Sequence, residues 1–470
     1  MITPVSSPKT PSSRTRSVLR FFGRSAAFLL LIYGLLYAYD AFSGNNDGLI
    51  RGIAFRNIFP VIFWLTGILF VLSLGLVSRS KLIQNLSFTL LSTFLLLLLI
   101  EGIGNALVAA RLTPLFPSSF HRFYLPADLQ EDKPQLAGDY HPQVSRWRLP
   151  NSADTLKNCA GEQLIRTSNA YGAYDRPRTT ANPTPGKKRV VLLGDSFLEG
   201  YLVPDSARLS NLLEAQTSRE HLNFAINGTS PINYYLIYKH LAKPFDHDAV
   251  IIGLLPGNDF EDYDASKAFE LIESPIYRPY WNGTYPNYQL KYSLANVGQS
   301  ISRTPRTQEG ILRTIDSVYA HLSTGHKLKA NLLVHSSLLK GAGYLAHQGQ
   351  KDTFTRFERF TDAEFNYIQY SLERIIEEAS GKPVIILSIP IANDLKAMKA
   401  GRPNRFDPKM AAFCRQKGAL FIPLTPYFSQ YKGNLDDLFL SCDGHWTRRG
   451  EAFATQALLS NPIYRKAVGL

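Results

Sequence analysis

The chain has 470 residues, 45% hydrophobic and 19% charged, with a formal net charge of +13. That length exceeds one ordinary hydrophobic core, and three cysteines with no CxxC pair argue against a disulfide scaffold or a cysteine zinc site. The charge is not a nucleic-acid signature: residues 1–81 hold nine basic side chains against Asp40 and Asp47, so seven of the thirteen excess positive charges flank apolar runs.

Three apolar stretches open the chain, and transmembrane helices are expected at about 25–40, 57–78 and 83–104. The first, "SAAFLLLIYGLLYAY", is short for a hydrocarbon core of about 30 Å, but the arginines before it can snorkel and lengthen its reach. A cleaved signal peptide would account for this stretch but not for the next two. Lys and Arg gather before the first span and in "SRSK" (78–81), which puts both on the cytoplasmic side and everything after about residue 110 outside the cytoplasm. Arg51 and Arg56 fall in the opposite loop, against that bias. Glu101, near the end of the third stretch, is either a functional intramembrane acid or a carboxylate reaching the headgroups.

Residues 111–187 lack sustained periodicity and read as a juxtamembrane segment wrapping the next domain. From 188 to 465 short apolar runs alternate with helical patterns: "RVVLLG" (189–194), "HLNFAING" (221–228), "AVIIGLLPG" (249–257), "KANLLVHSS" (329–337), "KPVIILSIP" (382–390) and "GALFIPL" (418–424). Helical stretches lie at 204–218, 232–242 and 365–379. Continuous apolar strands separated by helices describe an α/β fold with a mostly parallel sheet covered on both faces. An insertion is expected around 264–325. It includes the aromatic stretch "SPIYRPYWNGTYPNYQLKYS" (274–293), which is a glycan-binding surface, a packed loop or a headgroup contact.

In such sheets the working groups collect beyond the carboxyl ends of the strands. Ser196, Gly228 and Asn258 each fall there. Ser196, in "GDSF", is either a helix N-cap or a nucleophile, and no G-x-S-x-G elbow is present to decide. Asp195 and Asp259 read as turn-organising acids. Late in the chain, "CDGHW" places Asp443 two residues before His445, where a carboxylate can accept a hydrogen bond from Nδ1–H and leave Nε2 as a base.

Taken together, "GDSF", "NFAINGTS", "GND" and "CDGHW" resemble, in order, the four blocks of the SGNH hydrolases, the GDSL-type esterases and lipases. The resemblance covers about residues 160–460. It implies a three-layer flavodoxin-like fold, Ser196 as nucleophile, His445 as base and Asp443 as its carboxylate. It also implies an oxyanion hole from Ser196, Gly228 and the Asn258 amide, with no metal and no cofactor. "SNAYGAYDRP" (168–177) is similar to the N-x-x-G-F-R-D lead-in of many bacterial members. One departure stands out: the commonest fourth block has Asp three residues before His, where this chain has Cys442. The Asp-x-His spacing occurs in extracytoplasmic relatives that move acetyl groups on polysaccharides.

The resemblance and the basic flanks together imply a multi-pass protein of a bacterial inner membrane with its catalytic domain on the periplasmic side. The expected reaction is hydrolysis of an O-acyl or O-acetyl ester on a cell-envelope glycan or lipid. The alternatives are an O-acyltransferase to a polysaccharide hydroxyl, served by a membrane acyl-donor protein, and a non-catalytic glycan-binding or assembly protein. Cys159 and Cys442 are free to pair in an oxidising compartment.

Overall fold

The computed structural model describes residues 13–42, 49–50, 53–110, 112, 138–158, 161–260, 278–292, 307–321, 336–348, 355–441 and 443–470. Two compact units emerge: Met1–Asp132 with Leu328–Gly349, and Lys133–Lys327 with Gln350–Leu470.

The first unit holds three long helices, α1 (Ser13–Phe42), α2 (Phe55–Val77) and α3 (Lys81–Ala109), with α2 packed against both others. Among the described residues, Thr15–Tyr39 and Lys81–Val108 are long and apolar enough to cross a membrane, while the apolar stretch Trp64–Val77 is shorter. The first stretch is less short than its apolar residues alone indicate. The helix begins before Arg14, because arginine is a good helix former and continues the turn that the apolar residues start. Inside α2 the hydroxyls of Thr66 and Ser73 donate back to the carbonyls of Ile62 and Leu69, so neither needs water.

The second unit is built on a five-stranded, wholly parallel sheet: β1 (Arg189–Leu193), β2 (Glu220–Asn223), β3 (Ala249–Leu254), β4 (Val384–Ser388) and β5 (Leu420–Pro423). The spatial order is 2-1-3-4-5, the flavodoxin-like arrangement, and it reverses between β1 and β3. Alternate strand residues feed two cores, as a sheet covered on both faces requires. Val191, Leu193, Val250, Ile252, Val384 and Ile386 face one core. Val190, Leu192, Ile251, Ile385, Leu387 and Ile422 face the other.

The first face is covered by α6 (Pro231–Ile237) and by the Asp362–Glu378 and Phe406–Lys417 helices. The opposite face is covered by residues of α4 (Ser196–Glu199), α5 (Leu209–Thr217) and the C-terminal Arg448–Ser460 helix. The 329–337 run, expected as a strand, lies outside the described residues except for Ser336 and Ser337, and Ser337 opens a helix. Cys159 and Cys442 also lie outside the described residues, so their pairing does too. Cys414 is a buried free thiol whose titration burial pushes up to about 12.

Two short hairpins, 138–148 and 153–167, precede the sheet. Trp147 of the first stacks on Phe224 at 6.3 Å between ring centres and gives its indole N–H to the Tyr171 carbonyl at 2.8 Å. Gly172 permits this. It sits at φ +79°, and a Cβ there would come within 2.6 Å of the indole nitrogen. Asn169 shapes the same turn by accepting the N–H groups of Tyr171 and Ala173. Of the aromatic stretch, residues 278–292 form a hairpin packed on the Asp362–Glu378 helix: Trp281 is buried and donates to the Ser371 hydroxyl at 2.8 Å. Tyr288 packs edge-on to Tyr367 and Tyr370. In this part of the stretch, those rings serve packing.

Candidate active site

Strand β1 is buried along its length and ends at Leu193, and from Gly194 the chain turns sharply into α4. The Asp195 side chain caps that turn by accepting the Phe197 N–H at 3.0 Å. Ser196 is therefore the first residue of the helix rather than its cap, and its N–H has no partner within the helix. Asp195 is fully buried, and desolvation pushes its carboxyl above the usual aspartate range. Its other oxygen accepts the Asn258 amide at 3.5 Å.

Asn258 belongs to α7 (Pro256–Asp259), directly after β3. Ser196 and Asn258 thus stand on the two strands between which the sheet order reverses, where an open α/β sheet forms its crevice. Asp259 works structurally there: it accepts the Leu255 N–H at 2.7 Å and the Tyr234 hydroxyl at 2.9 Å.

Gly228 lies in the loop after β2. The Ile226 N–H binds the Gly194 carbonyl at 3.1 Å, which pins that loop beside the Ser196 turn. At φ +67° the position favours glycine on backbone grounds. The guanidinium of Arg146 lies 3.6 Å from where a Cβ would stand.

His445 comes from the opposite end of the chain. Phe439 and Trp446 pair as an antiparallel bridge, and Leu440 donates to the His445 carbonyl at 2.8 Å, closing the 440–446 loop. Trp446 is buried, stacked on Phe428 and edge-on to Phe197. That anchor brings His445 beside Ser196. Its Nε2 lies 2.7 Å from the Ser196 hydroxyl. Its Nδ1 is hydrogen-bonded to Asp443, and that bond holds the Asp443 carboxyl below its ordinary value. The imidazole also packs against Phe197 and Tyr201, at 5.0 and 5.5 Å between ring centres.

An open cleft of about 710 Å³ fronts these groups. Ser196, Asn258, Asp443 and His445 line it together with apolar Ile391 and Phe439; Gly228 is not one of its lining residues. Among the described residues no group of three or more His, Cys, Asp or Glu is placed to hold a metal ion.

Three contributors escaped the sequence reading. Glu199, on the turn of helix begun by Ser196, accepts the Asn227 N–H at 2.5 Å and pairs with Arg148 at 2.8 Å, so one carboxylate links the serine turn to the glycine loop. Arg148 in turn donates to the Ala225 carbonyl at 2.9 Å. The visible signal was an acid inside the apolar run "SFLEGYL". Tyr201 and Trp446 gave no signal beyond being large rings near motif residues.

No known protein family's sequence profile matches the chain, and no curated protein matches it. Several solved structures are similar at low identity. A member of the lipolytic protein G-D-S-L family from Veillonella parvula is 13% identical, over 58% of this chain and 96% of that one, with a TM-score of 0.29. The lipase/acylhydrolase from Enterococcus faecalis is 14% identical, over 60% and 96%, with a TM-score of 0.31. A variant of an acetyl-xylooligosaccharide esterase from Geobacillus is 12% identical, over 60% and 94%, with a TM-score of 0.31. The overlap is too loose to carry chemistry from these proteins to this chain.

Proposed function

We propose that this chain is a membrane-anchored serine esterase of the SGNH type. The observation that carries the proposal is the 2.7 Å contact between His445 Nε2 and the Ser196 hydroxyl, made across 249 positions of sequence, with Asp443 on the other ring nitrogen. In this reading Ser196 attacks the ester carbonyl while Nε2 takes the hydroxyl proton, and Asp443 holds the tautomer and favours the imidazolium. The carbonyl oxygen gains negative charge and accepts the N–H groups of Ser196 and Gly228 and the Asn258 amide; each such donor is typically worth about 3–4 kcal/mol in the transition state. The alkoxy group leaves with the proton from His445. Water then gives its proton to Nε2, attacks the acyl-serine and releases the acid, restoring Ser196.

The proposed substrate is an O-acyl or O-acetyl ester on an envelope glycan or lipid. The proposed location is the periplasmic side of an inner membrane, with α1–α3 as spans. An open cleft also admits a sugar hydroxyl in place of water, which would make the same residues an acyltransferase.

A fluorophosphonate probe tests the core of the reading. Parent protein is expected to label and Ser196→Ala is not; an unlabelled, folded parent overturns it. Acetylated sugars, glycans and p-nitrophenyl esters, assayed with and without an acceptor sugar, then separate hydrolysis from transfer.

A further inference from the structure

Glu101 has an unusual set of partners for a carboxylate on an apolar helix. It sits near the end of α3, and donors from a segment some 235 residues away converge on it. The Ser336 hydroxyl lies at 2.9 Å, the Ser337 hydroxyl at 3.0 Å and the Leu338 N–H at 3.3 Å, and the Ser337 N–H also binds it. Asn105, one turn along α3, adds its amide at 3.0 Å. The charge therefore meets the free N–H groups at the start of the Ser337–Gln348 helix. Gly104 permits the approach: a Cβ there would stand 2.2 Å from the Ser337 hydroxyl.

The Ser337–Gln348 helix, "SLLKGAGYLAHQ", packs on α3 and belongs to the same compact unit. Yet Leu338, Leu339 and Leu345 are exposed, Leu345 by 67%. Twelve residues give about 18 Å of helix, too little to cross a hydrocarbon core of about 30 Å. A short apolar segment of that length can serve as a buried core element or lie in the membrane, and Leu338, Leu339 and Leu345 are not buried in a core. The helix they belong to packs on α3, itself apolar enough to span a membrane.

We propose that the Ser337–Gln348 helix is a membrane-embedded element, re-entrant or in-plane, whose leucines contact lipid acyl chains and whose start is clasped by Glu101. This rests on the membrane reading of α3 given above. The insertion between Asn258 and β4 then returns the chain to the membrane unit midway through the catalytic fold.

Full-length chains carrying Cys159→Ser, Cys414→Ala and Cys442→Ser, reconstituted in phosphatidylcholine/phosphatidylglycerol vesicles with brominated acyl chains, test it. Single cysteines at Leu345, Leu339, Leu97 and Lys432 carry an environment-sensitive fluorophore. Labels at Leu345 and Leu339 are expected to be quenched within about twofold of the α3 label at Leu97, with the Lys432 label unquenched. Glu101→Ala, and separately Gly104→Val, are expected to cut quenching at Leu345 by half or more while sparing Leu97. Quenching at Leu97 with none at Leu345 overturns the embedded helix alone. Absence of quenching at Leu97 as well overturns the membrane reading beneath it.

Discussion

Two buried glutamates flank the two halves of the candidate site, and they are satisfied in different ways. Glu199 stands one turn after Ser196, 1% exposed, ion-paired with Arg148 and accepting the Asn227 N–H. Glu451 stands one turn into the helix after the His445 loop, 2% exposed, and accepts the Leu209 N–H at 2.9 Å. The serine half is thus held by a buried ion pair with hydrogen bonds to neighbouring backbone. The histidine half is held by aromatic packing at Trp446 and by a carboxyl that burial pushes up to about 8. Both glutamates tie segments distant in sequence.

The largest expected effect comes at the histidine itself. The His445 side chain is 21% exposed, and its ring rests on Phe197 and Tyr201 at the rim of the cleft. His445→Ala removes the proposed general base, with an expected effect of about 10²–10⁴-fold or more on kcat, and is expected to leave the melting temperature within a degree or two. Ester turnover and thermal unfolding of the same preparation check this pair. A large fall in melting temperature would show that the imidazole holds the loop rather than serving the reaction.

Glu199→Ala breaks the other half in the opposite manner. It leaves Arg148 buried without its carboxylate, at a cost of about 3–5 kcal/mol. It also frees the Asn227 N–H that holds the Gly228 loop. A displacement of about 1 Å near the reacting atoms lowers turnover by about 10²-fold. Stability by urea midpoint and kcat are expected to fall together, with KM moving less. A variant that loses stability but keeps kcat would mean the glycine loop does not need this clamp.

The contrast also explains what the sequence made legible. Four of the five parallel strands were plain, because each is a mainly apolar run of the kind a sheet buried on both faces favours, whereas β2 is "EHLN" and showed only through the "FAI" that follows it. Ser196 and Asn258 followed from their place after β1 and β3, and the strand order then set them on either side of one crevice. What stayed hidden were contacts made across sequence distance. Nothing in "SFLEGYL" states that Glu199 meets Arg148, and nothing in "CDGHW" states that Trp446 lands on Phe428. Glu101 stayed open between an intramembrane acid and a headgroup carboxylate, because its partners lie in a segment that reads as a strand. Periodicity reports local burial; it says nothing about which distant element completes a polar group.

The smallest and sharpest test concerns Glu451. Its carboxyl titrates near 8 when folded against an ordinary 4.5, because desolvation outweighs the opposing Leu209 N–H and the charge of Arg208. A raised folded-state value means the folded chain keeps a proton that the unfolded chain releases. The stabilisation is fully present below about pH 4.5 and is lost as pH rises through about 8, at up to about 1.4 kcal/mol per pH unit. Glu451→Gln is neutral throughout and keeps an oxygen for the Leu209 N–H, so that part of the slope should vanish. Urea midpoints between pH 5 and 8 are expected to converge for parent and variant at the acid end and to separate at the alkaline end, with the variant more stable. Parallel curves would mean that Glu451 is already charged when folded, and that burial at this position does not set its protonation.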